Sequence, residues 1–183
     1  MKTISPQDLN NLQLQTLLQT AIAPRPIALA STIDKEGNIN LSPFSFFNLF
    51  SSNPPVVIFS PARRVRDNTT KHTLENVLEI PEVVIGIVNY KIVQQISLAS
   101  TEYSKAENEF IKSGLTMKDA DLIQPKLIDE CPVNLECKVL EVKPLGTEGG
   151  AGNLVICEII QIHVQEEYLN EEGSLDQKKL DLV

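Results

Sequence analysis

The chain has 183 residues, 42% of them hydrophobic, which suits one domain with a full-sized core. A formal net charge of −8 argues against nucleic acid or an anionic membrane as a partner. No apolar run is long enough to cross a bilayer, and the opening MKTISPQDLNN lacks a signal-type apolar region, so a cytoplasmic protein is expected. Three cysteines, Cys131, Cys137 and Cys157, form no C-x-x-C pair and are odd in number, which predicts reduced, buried, inert thiols.

Ser5-Pro6 reads as a helix start, with Ser5 as cap and Pro6 in the first turn, and Leu9, Leu12 and Leu17 share a face. The expectation is an amphipathic helix over 6–20, ended by Ala23-Pro24-Arg25-Pro26. Residues 27–33 read as a strand, 34–38 as a hairpin turn with Gly37 at a positive φ, and 39–50 as a returning strand interrupted at Pro43. Pro54-Pro55 precedes a short buried strand at 56–59. Asp67 or Asn68 would cap a helix over 69–78, followed by a strand at 83–88 and a helix at 92–99.

Residues 101–130 are polar and irregular, a long excursion of the kind that is more often functional or interfacial than idle. Two cleanly alternating runs, 133–142 and 154–164, are joined by the glycine-rich TEGGAGN, which predicts a hairpin with a flexible tip. Strands outnumber helices and connect mainly by turns. The reading is a single domain over 1–183, mainly β, an antiparallel barrel or sandwich spanning about 25–165 with peripheral helices.

The stretch from Pro24 to Thr73 carries the chemistry. Ser31, Thr32, Asn40, Ser42, Ser45 and Asn48 sit on otherwise apolar strands; solvent-facing positions of an alternating strand explain one or two of them, and inward-facing hydroxyls or amides need partners that a polar ligand would supply. Downstream, the basic run from Arg63 to Lys71, with Thr and Asn beside a helix start, suits a phosphate; a solvated basic loop explains it equally well. No G-x-x-x-x-G-K-[ST] and no G-x-G-x-x-G is present. There is also no G-x-S-x-G elbow, and His72 and His163 lack metal-ligand spacing. His72 is expected beside the phosphate and His163 in a structural role. Any reaction would run on a bound cofactor, with no catalytic side chain.

The motifs P-R-P-I-A at 24–28, S-T-x-D-x-x-G at 31–37, N-L-S-P-F-S-F-F-N at 40–48 and N-P-P at 53–55 resemble the flavin reductase-like family, the FMN-binding split-barrel proteins. K-H-T-L-E-N at 71–76, C-P-V-N-L-E-C at 131–137 and G-N-L-V-I-C-E at 152–158 extend the match in the same order. This resemblance implies an antiparallel Greek-key split barrel, a homodimer, and FMN near the dimer interface. It places Ser31 and Thr32 beside the isoalloxazine, and Asn40, Ser45, Phe46, Phe47 and Asn48 along the ring or ribityl chain. It gives Ser60, Arg63, Lys71 and Thr73 to the phosphate and sets Arg25 near the pocket. Two departures stand out: His72 replaces the Asp of many relatives, and the Gly-Gly-Asn-aromatic-Tyr segment that relatives carry after this point is absent before Val183. The implied activity is transfer of hydride or electrons from NAD(P)H through FMN to a flavin or protein acceptor. A non-catalytic flavin carrier or sensor is the alternative, and a different cofactor such as haem or a deazaflavin is a third reading.

Overall fold

In a computed structural model describing residues 1–183, seven strands form one antiparallel sheet. They are β1 (Ala28–Ile33), β2 (Ile39–Phe44), β3 (Phe47–Ser52), β4 (Pro55–Phe59), β5 (Glu82–Ile87), β8 (Val133–Pro144) and β9 (Asn153–Val164). Between them run α1 (Asn11–Ala21), α2 (His72–Glu79), α3 (Val93–Ala99) and α4 (Glu109–Ser113), a two-stranded ribbon of β6 (Met117–Lys118) and β7 (Leu127–Ile128), and a final α5 (Gln177–Leu180).

The strand order is β2-β1-β5-β8-β9-β4-β3, so β2 and β3 lie at opposite edges although only Ser45 and Phe46 separate them in sequence. A flat sheet of that width would hold its edges about 29 Å apart. Three Cα steps reach only about 11 Å. The sheet must therefore curl until its edges meet, and the β2–β3 link crosses the seam. Phe44 of β2 and Phe59 of β4 pack across it, ring centroids 5.4 Å apart.

Curling creates an inside and an outside. Ala28, Ala30, Phe44, Val57, Phe59, Val83, Ile85, Cys137, Val155 and Cys157 form the inner core, with Leu74 and Val77 of α2 packed onto it. The opposite face of β1, β2 and β5 presents Leu29, Leu41 and Val84 to a second core containing Ile96 of α3 and Phe110 of α4. All three cysteines are buried and unbonded, as expected. Burial pushes the Cys137 thiol up to about 12 and raises the Cys131 and Cys157 thiols well above their ordinary value. No helix is long and apolar enough to cross a membrane.

Three expected boundaries move. The first helix is capped by Asn10, not Ser5: Asn10 Oδ1 accepts from Gln13 N (2.9 Å) and Gln13 Oε1 from Asn10 N (3.1 Å). This reciprocal box satisfies two orphan donors, while Pro6–Asp8 forms only a 3₁₀ turn. The strand expected over 39–50 is two strands, because the seam link bends at Ser45-Phe46; Pro43 itself pairs with Leu29 inside β2. The second helix begins at His72 after Lys71, and Asp67 instead closes a local turn onto Thr69 N at 3.0 Å. The long excursion contains α4 and the β6–β7 ribbon.

Candidate functional site: two adjoining cavities at the seam

The larger cavity, about 680 Å³, opens where the seam meets α1. Leu14 and Leu18 of α1, with Ile22 just past its end, form one wall; Phe46, Phe47 and Val65 contribute apolar surface to the rest. Arg25 fastens the wall in place: its guanidinium donates to the carbonyls of Gln19 (2.6 Å) and Ile22 at the helix end, and its Nε reaches Ser45 Oγ at 3.4 Å. Arg25 and Arg63 are the only ionisable side chains in the lining. The chamber is thus apolar-walled and holds no group able to exchange a proton near neutrality.

The floor of this chamber is the loop 61–65, held by the β8–β9 tip. Arg63 N donates to Ala151 O and Gly150 N to Arg63 O, both at 2.9 Å. Asn153 Nδ2 donates to Pro61 O at 2.9 Å. Contact is so close that a Cβ on Gly149 would lie 3.0 Å from Val65 Cα. The glycine-rich tip, expected to be flexible, is therefore docked, and its glycine permits backbone-to-backbone approach.

Val65 also lines a second cavity of about 310 Å³, whose chemistry is opposite. Arg64, Arg66, Lys71, His72, Thr73, Asn40, Thr101 and Glu102 surround it. Lys71 is half-buried and forms no ion pair; its Nζ sits 5.4 Å from the Phe44 ring centroid. Burial first, and then the Arg64 charge, lower its pKa. An anion in this cavity would relieve both effects. Asn40 is fixed by accepting from Thr73 Oγ1 (2.9 Å) and donating to Glu109 Oε1 (3.2 Å). Burial raises the Glu109 carboxyl above the usual range, and its bond from Leu41 N opposes the shift.

An apolar chamber sharing a wall with a cationic one suits a ligand with a flat ring and an anionic tail. The family model described as "Flavin reductase like domain" matches residues 20–179. The chain belongs to the flavin reductase-like family. Its class is that of flavin-linked oxidoreductases. An uncharacterised protein of Aquifex aeolicus is 33% identical over 166 residues, 91% of this chain and 82% of that protein. Among solved structures, nitrilotriacetate monooxygenase component B from Bacillus cereus superposes with a TM-score of 0.91 at 28% identity, covering 98% of this chain and 89% of that one. A protein from Shewanella frigidimarina, described as a flavin reductase with a split barrel domain, gives 0.82 at 25% identity, covering 100% and 89%. The curled antiparallel sheet described above is this split-barrel fold.

Within this family fold, the twelve residues singled out in the sequence divide three ways. Arg25, Ser45, Phe46, Phe47, Asn48 and Arg63 line the apolar chamber. Asn40, Lys71 and Thr73 line the cationic one, beside His72. Ser31, Thr32 and Ser60 line neither. Ser31 Oγ is fully buried without a partner, on the strand face shared with Leu29, while Thr32 Oγ1 accepts from Asn76 Nδ2 at 3.2 Å. Arg63 is spent on Asn68, donating to its Oδ1 at 2.7 Å and to its carbonyl, so Arg64 and Arg66, not Arg63, are the guanidiniums that line the cationic cavity. Glu102 and Glu109 were not singled out. Both belong to the polar excursion, whose length was the available signal.

Proposed function

We propose that the protein is an FMN-dependent NAD(P)H oxidoreductase that passes electrons to a flavin or protein acceptor, and that it works as a homodimer. The observation that carries this reading is the unpaired, half-buried Lys71 in a cationic cavity adjoining an apolar chamber. The residues present fit FMN: Lys71, Arg64 and Thr73 offer charge and a hydroxyl to a phosphate, and Phe46, Phe47, Leu14 and Leu18 offer apolar surface to a flat ring. When bound, FMN supplies two-electron acceptance from a reduced nicotinamide. The chain's part is to hold the phosphate, exclude water from the ring and leave room for a second planar ligand. No proton-exchanging side chain lines the apolar chamber, which accords with chemistry carried by the cofactor.

The test is the visible spectrum of FMN-loaded protein under anaerobic conditions, before and after NADH or NADPH. Rapid bleaching of the flavin bands is expected, and it names the donor. Bands that persist with both nucleotides would rule out the reductase and leave a carrier or sensor.

A further inference from the structure

Two carboxylates of the chain line the cationic cavity: Glu109, buried and bonded to Leu41 N, and Glu102, which meets the arginines. Glu102, on the turn after α3, places Oε1 2.6 Å from Arg64 Nε and 3.1 Å from Arg66 Nη2. All three side chains line the cavity. Arg64 is well buried, with 19% of its side chain exposed, whereas Glu102 keeps 46% exposed and so borders solvent. Arg64 stays anchored without Glu102, because its Nη1 also donates to Thr69 Oγ1 (3.1 Å) and to the Thr70 carbonyl. Arg66 likewise retains Asp67 Oδ2 at 3.1 Å. The arginines are thus positioned by their own loop. The carboxylate serves as a charge partner they can exchange.

We propose that Glu102 is an internal competitor for the phosphate of the ligand, a carboxylate that a terminal phosphate monoester displaces. The ligand's identity rests on the function proposed above; the competition itself does not. A monoester brings about −1.5 to −2 charges and three acceptor oxygens at neutral pH, more than the single carboxylate it displaces. A phosphodiester brings one charge per phosphate and gains little from the exchange. FMN therefore displaces Glu102 readily, FAD poorly, and riboflavin not at all.

The experiment compares the full-length protein with Glu102→Gln, an isosteric change at a solvent-bordering position. Flavin fluorescence titrations give affinities for FMN, FAD and riboflavin, and thermal shifts with inorganic phosphate, against sodium chloride at matched ionic strength, read the site without a flavin. Glu102→Gln should bind FMN about 10-fold tighter, gain no more than that for FAD, and leave riboflavin unchanged. Its phosphate-dependent rise in Tm should exceed that of the parent. Unchanged or weaker FMN and phosphate binding in the variant would overturn the competition and make Glu102 a positioning residue. A larger phosphate effect in the variant with no flavin binding by either protein would keep the competition and sink the FMN reading instead.

Discussion

Glu136 shows how one carboxylate joins the excursion to the barrel. It lies on β8, fully buried, yet its oxygens accept from Asp121 N and Leu122 N at 2.8 Å each and lie 2.6 Å from His163 Nε2. Burial alone would raise its pKa, but the backbone bonds and His163 outweigh burial and leave it below the usual carboxylate value. The stability it contributes is fully present above the unfolded-state pKa and falls away as pH drops through the lower folded-state value. Glu136→Gln puts an amide NH₂ where only an acceptor fits, and should cost about 2 kcal/mol at pH 7. In urea unfolding, the gap between parent and variant should shrink below about pH 4. A gap that does not change with pH would mean that the carboxylate's charge is irrelevant. His163 completes the partners of this buried anion.

At the scale of elements, the docked β8–β9 tip carries the floor of the apolar chamber. Gly149→Val would drive side-chain atoms into the Val65 backbone and the Arg64 carbonyl, 3.0–3.1 Å from its Cβ, where no rotamer relieves the clash. We expect a loss of about 1–3 kcal/mol in stability and a clear weakening of flavin binding, as the loop carrying Arg63 to Arg66 lifts. Urea melts and flavin titrations that match the parent would show that the tip does not support the loop. The strands were legible in the sequence because alternation is local: Val133–Val142 and Leu154–Val164 announce their own hairpin. The seam was not. Nothing in Phe44-Ser45-Phe46-Phe47 says that the sheet between its two flanking strands will curl through five others. Nor does any spacing reveal that Arg63 turns to Asn68 while Arg64 turns to the cavity, since neighbouring loop residues differ only in dihedral angles set by the whole loop. The family resemblance supplied the neighbourhood; local backbone geometry decided which residues face it.

The surface of the whole molecule argues for its assembly. The chain carries 24 acidic and 16 basic residues, yet residues 9–24, which contain all of α1, have no charge at all. No residue of α1 is buried, and Leu12, Leu17, Leu18 and Ile22 are exposed. Across the apolar chamber, the uncharged β3 exposes Leu49 at 60% and Phe50 at 63%, with Phe46 beside them at the seam. A charge-free helix and a charge-free edge strand that flank one cavity form a surface that water solvates poorly and a second copy would cover. Sedimentation velocity at about 10 μM should therefore give a dimer, and Phe50→Glu should give a monomer with the same far-UV circular dichroism. Because Leu14, Leu18 and Phe46 also wall the apolar chamber, that monomer should hold flavin more weakly. A parent protein that sediments as a monomer would remove the interface. A Phe50→Glu monomer that binds flavin as tightly as the parent would show that each barrel forms its chamber alone.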